Sequence, residues 1–140
     1  MLKRFKKKVL IIGGDSRLGL VLKKNLKKKF NIYETTRRNK KSNNSFYLNF
    51  KNIKNFNPKI FFDFVVIVGG ITDYKTCNKN FNYAYKINCI NIPKISELFI
   101  KKGSFLIFIS TNTVFKYIKK IPNEFDKPNP GFNYSKLKFI

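Results

Sequence analysis

The sequence predicts an α/β fold built on a doubly wound parallel sheet. Three observations lead there. Apolar runs of strand length alternate with stretches of helical period, glycines follow directly on two of those runs, and the whole chain is short enough for one domain.

The elements follow in order. Val9 to Ile12 is a continuous apolar run, as expected of a strand buried on both faces. It ends in Gly13-Gly14-Asp15-Ser16-Arg17-Leu18-Gly19, a glycine-rich turn. Leu18, Leu22, Leu26 and Phe30 then recur every four residues, with lysines mostly between them, predicting a helix with one apolar stripe. Asn31–Thr36 and Phe46–Leu48 are two further short strands, separated by a polar loop. Residues 51–61 show no clear period. Phe64–Val68 is the plainest buried strand, and Gly69-Gly70 closes it. A helix is expected over Phe81–Lys102, with Ala84, Ile87, Ile95 and Leu98 on one face and a kink or break at Pro93. Gly103 stops it, and Phe105–Ile109 is the fifth strand. A last helix starts near Tyr134. This rhythm predicts strand order 3-2-1-4-5, with ligands at the carboxyl ends of the strands where the order reverses.

Bulk properties narrow the function. The 140 residues allow a single domain, 1–140. A hydrophobic share of 43% and an aromatic share of 16% support a real core. No apolar run reaches the length of a membrane span and no signal peptide is legible, so a cytoplasmic protein without membrane attachment is expected. The net charge of +23 would suit a polyanion, but the lysines are spread through nearly every element. Specific nucleic-acid binding is therefore not expected. Histidine is absent, and Cys77 and Cys89 have neither zinc-site nor redox-motif spacing, so no metal site is expected and both cysteines read as reduced thiols.

The turn after the first strand is the chemically informative segment. A glycine turn between a buried strand and a helix can seat a pyrophosphate, because the backbone approaches closely and the first helical amides point at the charge. The spacing is G-x-x-S-x-x-G, with Ser16 in the middle place, and by itself is equally compatible with an ordinary strand-to-helix connection.

Further segments follow in a fixed order. Thr35-Thr36-Arg37-Arg38 ends the second strand. Asp63 to Thr72 covers the fourth strand and its loop. Ala84-Tyr85-Lys86-Ile87-Asn88 has the form A-x-x-x-N, and Ser110-Thr111-Asn112-Thr113-Val114-Phe115 is close to S-T-D-x-V-F. Tyr134-Ser135-Lys136-Leu137-Lys138 is a Tyr-x-x-x-Lys pair. Together they resemble the extended short-chain dehydrogenase/reductase superfamily, and most closely its dTDP-4-dehydrorhamnose reductase-like sugar-nucleotide branch, over nearly the whole chain. The resemblance implies a Rossmann-like domain and a hydride exchange between a nicotinamide cofactor and a sugar carbonyl. It implies catalytic roles for Thr111, Tyr134 and Lys138. Tyr134 would donate the proton, Thr111 would hydrogen-bond the substrate oxygen, and Lys138 would favour the phenolate and hold the cofactor ribose. Tyr134 and Lys138 stand at i and i+4, on one face of a helix. It implies cofactor contacts at Gly13, Ser16, Arg17, Leu18, Gly19, Asn49, Phe50, Gly69, Gly70 and Lys138. Arg37 and Arg38 stand where an acidic residue would bind the ribose of NAD; a guanidinium there suits a 2′-phosphate, so NADP is expected, with NAD the alternative. Glu34 lies two or three residues too early for a ribose ligand.

The departures also matter. Ser16 replaces a glycine, Asn112 an aspartate, and Lys116-Tyr117 an Asp-Gly turn. Members of the family continue for at least roughly another hundred residues past the Tyr-x-x-x-Lys helix, a domain-scale extension. The expectation is thus the N-terminal, NADP-binding portion of a 4-keto-sugar reductase with little turnover by itself, truncated before the last strands and the substrate domain. The alternatives are part of a nucleotide-sugar epimerase or dehydratase, a non-enzymatic nucleotide-binding module, or a truncated gene product. The intact enzyme would bind a sugar nucleotide; its oligomeric state is left open.

Overall fold

The computed structural model describes residues 5–38, 42–115 and 121–140. The chain forms two compact units, one of Met1–Gly70 with Lys94–Ile109 and one of Ile71–Pro93 with Ser110–Ile140.

The first unit holds one five-stranded parallel sheet in the order β3-β2-β1-β4-β5, the expected topology. Its strands are β1 (Lys8–Ile12), β2 (Asn31–Thr36), β3 (Ser45–Tyr47), β4 (Phe64–Ile67) and β5 (Phe105–Phe108). Val9 pairs with Ile32 on one side and Phe64 on the other, so β1 is central. Its four apolar residues are all buried, as a strand covered on both faces requires. Helix α1 (Arg17–Leu26) crosses over between β1 and β2, and Leu22 and Phe30 pack against Val9, Ile11 and Val66. Elsewhere in the unit, Phe62 is fully buried and meets the rings of Tyr33, Phe46 and Phe99 edge-on.

The helical stripe needs one correction. Leu18 is 43% exposed, and the buried residue of the first turn is Gly19. A side chain at Gly19 would collide with Gly13 O and the Gly14 backbone, so the helix lies too close to the turn for Leu18 to be drawn inward.

The second unit is mostly helical. It contains α2 (Tyr74–Lys79), α3 (Phe81–Tyr85), a π-helical turn over Lys86–Asn91, a 3₁₀ turn over Asn112–Val114 and α5 (Asn133–Phe139). Helix α4 (Ile92–Lys101) starts in this unit and continues into the first. The irregularity expected at Pro93 falls just before it. Proline donates no hydrogen bond and crowds the carbonyl four residues back. The widened turn absorbs this, and Ile92 N–H bonds Ile87 O, five residues back. Helix α2 has no counterpart in the periodicity. Its signal is the cap, with Asp73 Oδ2 accepting from Thr76 N at 2.7 Å and Thr76 Oγ1 at 2.6 Å. In the first unit, α4 ends as expected at a glycine, with Gly103 at φ +81° and Ser104 N–H returning to Phe99 O.

Among the described residues no helix is long and apolar enough to cross a membrane, and no cluster of three or more His, Cys, Asp or Glu could hold a metal. Both cysteines are free thiols.

Candidate functional site

The glycine turn is built almost wholly from backbone. Gly13 takes φ +90°, and a Cβ there would stand 2.7 Å from both the Cα and N of Gly69. A Cβ on Gly69 would in turn meet the Phe50 ring at 2.6 Å. Gly13, Gly69 and Phe50 thus form a tight stack that tolerates no added carbon. Thr35, at the end of β2, fixes the turn from below, since its hydroxyl accepts from Gly13 N at 2.9 Å and its carbonyl from Gly14 N at 3.1 Å. Gly70, with φ 141°, is also in a conformation that favours glycine.

Ser16 is the N-cap of α1, its hydroxyl accepting from Gly19 N at 3.1 Å. Ser16 N bonds Gly13 O and Leu20 N bonds Ser16 O. The amides of Arg17 and Leu18 have no partner among the described residues, so two donors are left at the positive end of a ten-residue helix. That is the donor set an anion requires. The close glycine approach and the open amides therefore fit a dinucleotide pyrophosphate. One negative charge also sits in the turn: Asp15, which accepts from Thr36 Oγ1 at 3.3 Å.

The side chains around the turn sort by environment. Arg37 and Arg38 are exposed just beyond β2, where Arg38 N–H bonds the Thr36 hydroxyl at 3.0 Å. Glu34 is engaged by Lys23 at 2.6 Å and Ser45 at 3.3 Å, and a Cβ on Gly14 would strike it. These contacts leave it a structural residue. Asn49 Oδ1 accepts from Lys51 N at 3.0 Å. Asn49 also lines a depression of about 250 Å³ with Tyr47, Leu48, Asn52, Asn55 and Phe56.

In the second unit the hydroxyl-bearing residues come together. The Thr111 hydroxyl lies near enough to the Tyr134 phenol to favour its ionised form, and Thr111 Oγ1 lies 3.1 Å from Thr113 Oγ1. Burial pushes the Tyr134 phenol above its ordinary range, while the nearby Thr111 hydroxyl pulls the other way. Lys138, half-buried one turn further along α5, is pushed below the ordinary lysine range by burial. Cys77 and Cys89 lie beside it, and only their ionised forms would oppose that shift. Burial raises both thiols, so neither is disposed to be a thiolate. Lys116 and Tyr117 lie outside the described residues.

Three contributors were not legible as site residues. Thr113 completes the hydroxyl pair. Ser135 is fully buried and binds Phe132 O at 2.8 Å and Phe132 N at 3.1 Å, fixing the start of α5 next to Tyr134. Asn88 is 6% exposed and holds the backbone of one residue by both its polar groups, accepting from Ile71 N at 2.9 Å and donating to Ile71 O at 2.8 Å. Asn88 did leave a trace, as the last residue of the A-x-x-x-N segment.

Comparisons with known proteins agree with this construction. No curated protein matches the chain. A dTDP-4-dehydrorhamnose reductase ortholog from Clostridium acetobutylicum is 30% identical, with TM-score 0.78 over 94% of this chain and 46% of its own. The Bacillus anthracis dTDP-4-dehydrorhamnose reductase solved in complex with NADP is 23% identical, with TM-score 0.78 over 96% and 47%. MoeE5 in complex with UDP-glucose and NAD is 18% identical and shares the fold, with TM-score 0.79 over 94% and 46%. The chain thus spans about half the length of the solved structures it matches. The model for the RmlD substrate binding domain matches residues 7–139, so the chain belongs to that family, in the dTDP-4-dehydrorhamnose reductase-like branch of the sugar-nucleotide reductases.

Proposed function

We propose that this chain is the NADP-binding part of a sugar-nucleotide reductase acting on a 4-keto sugar. The observation that carries the proposal is the convergence of Thr111 on the Tyr134 phenol in one unit, with Lys138 one turn further along α5. A carbonyl undergoing reduction needs a proton donor at its oxygen and a second hydroxyl to hold it. Tyr134 supplies the proton and Thr111 orients the oxygen. With its phenol pushed upward, Tyr134 stays protonated at neutral pH, the state a reductase needs at the start of turnover. Thr113 and Ser135 fix the two partners in place.

The first unit binds the cofactor. Arg17 and Leu18 amides take the pyrophosphate, Gly13 and Gly69 leave it room, and Phe50 and Asn49 receive the adenine side. Arg37 and Arg38 receive the 2′-phosphate, which selects NADP over NAD. When bound, the nicotinamide supplies the hydride. The proposal places the protein in the cytoplasm.

The test is thermal stability measured with NADPH, NADH and inorganic pyrophosphate at equal concentration, the last controlling for the net charge of +23. A ligand at about 100 times its Kd adds about 2.7 kcal/mol. NADPH is expected to stabilise most, NADH less and pyrophosphate least, and the R37A/R38A double variant should erase the gap between the two dinucleotides. Equal effects of all three would leave only charge and sink the cofactor assignment.

A further inference from the structure

We infer that Asp15 sets the cofactor preference of the glycine turn: its carboxylate accepts from a hydroxyl of the adenine-side ribose and opposes the 2′-phosphate that Arg37 and Arg38 attract. The inference rests on the assignment of the turn to a dinucleotide.

A carboxylate is an unfavourable neighbour for a pyrophosphate. Asp15 nevertheless stands between Gly14 and Ser16, in the turn that leaves the Arg17 and Leu18 amides open. It does not cap the helix, because Ser16 does. Its Oδ2 reaches instead to the end of β2, 21 positions further on, and accepts from Thr36 Oγ1 at 3.3 Å. The same hydroxyl accepts from Arg38 N at 3.0 Å. Thr36 is 8% exposed. One buried hydroxyl thus holds the carboxylate beside the backbone that carries both arginines.

The two acids near the turn differ in what is done with their charge. Glu34 is neutralised by Lys23 at 2.6 Å. Asp15 is half-buried and forms no ion pair among the described residues, the nearby arginines included. Its charge is left to act on whatever occupies the seat.

The strand end itself, Thr35-Thr36-Arg37-Arg38, has no acid. A carboxylate at this place in a dinucleotide seat accepts from ribose hydroxyls, and a guanidinium there takes a 2′-phosphate. Here the turn supplies the carboxylate and the strand end supplies the guanidinium groups. A 2′-hydroxyl has a proton to donate to Asp15, whereas a 2′-phosphate brings negative charge up to it. Two arginines against one carboxylate leave NADPH ahead, by a smaller margin than the arginines alone would give.

The measurement is the Kd of NADPH and of NADH, with 2′,5′-ADP and 5′-AMP as a second pair of probes that differ only in the 2′-phosphate. Asp15→Asn removes the charge and keeps an acceptor for Thr36. It should widen the NADPH preference about tenfold, through tighter NADPH binding and no gain for NADH. The preference for 2′,5′-ADP over 5′-AMP should widen alike. Asp15→Ser should give the same direction, and ligand-free melting checks the fold of each variant. A preference unchanged in both variants overturns the inference and leaves the cofactor seat standing. Equal tightening of both dinucleotides also overturns it, since Asp15 would then act on the pyrophosphate alone. A wild-type chain that binds neither dinucleotide removes the cofactor assignment and this inference with it.

Discussion

The glycine turn in one unit and the hydroxyl cluster in the other solve different physical problems. The turn works by leaving groups out. Gly13, Gly14, Gly19 and Gly69 are places where a single carbon would collide with a neighbour, and the donors left open there are main-chain amides. The hydroxyl cluster works by adding side chains and controlling their surroundings. Thr111 and Thr113 share a hydroxyl contact, Ser135 ties the start of α5 to Phe132, and burial shifts Tyr134 and Lys138 in opposite directions. A seat made of backbone fails abruptly under substitution, whereas a side-chain site degrades by degrees.

The steepest failure should come from Gly13→Ala. The variant forces an alanine to φ +90° and sets its Cβ 2.7 Å from the Gly69 backbone. Strain and overlap together should cost about 3–5 kcal/mol. Denaturant unfolding reads this directly, and hydrogen exchange should show the loss of protection concentrated in β1 and β4. Protection lost equally in α5 would mean that the two regions unfold as one, and the contrast between them would fail.

Asn88→Leu is the matching break in the second unit. It leaves the N–H and C=O of Ile71 without their side-chain partner, for an expected loss of about 2–3 kcal/mol. Asn88→Asp keeps an acceptor for Ile71 N–H but loses the donor, and should fall between leucine and wild type. Faster exchange at the Ile71 amide, with β1 unchanged, is the expected signature.

The same contrast explains what could be read in advance. The sheet order, the strands and the turn followed from period and from glycines, because backbone requirements restrict residue choice sharply. Arg37, Thr111, Tyr134 and Lys138 became candidates through their order in a familial pattern, not through any local rule. Asn88 was legible as the end of the A-x-x-x-N segment, but its partner was not, because only the fold brings it to Ile71 across 17 positions, and Thr113 resisted reading because threonine suits many surroundings. The exposure of Leu18 was hidden for a related reason: a four-residue stripe specifies a face, not how closely the helix approaches the turn.

Ser16 tests the turn more gently. Ser16→Ala removes the cap of α1 and should cost about 1 kcal/mol, whereas Ser16→Gly should cost only a few tenths. Thermal melts resolve both. If Ser16→Gly also leaves NADPH binding unchanged, the serine serves the helix and not the ligand.

The smallest expected effect, and the one confined to the side-chain site, is a pH dependence of stability on the alkaline side. Lys138 has a folded-state pKa below the ordinary 10.5 because burial disfavours its ammonium. In the window between the folded value and 10.5 the unfolded chain binds more protons, so stability rises with pH there. Tyr134 has a folded-state pKa above the ordinary 10.0. In the window above 10.0 the folded chain binds more protons, so its contribution falls as pH rises. The two groups oppose each other, and Lys138 acts first. Lys138→Met should therefore remove the rise below 10.5 and stabilise the protein at neutral pH, whereas Tyr134→Phe should flatten only the fall above 10.0. Both groups are only partly buried, which keeps the amplitudes small. Denaturant midpoints taken across this range for the three proteins decide the matter. A rise that persists in Lys138→Met would show that the lysine is solvated, and would remove burial as the control over this site.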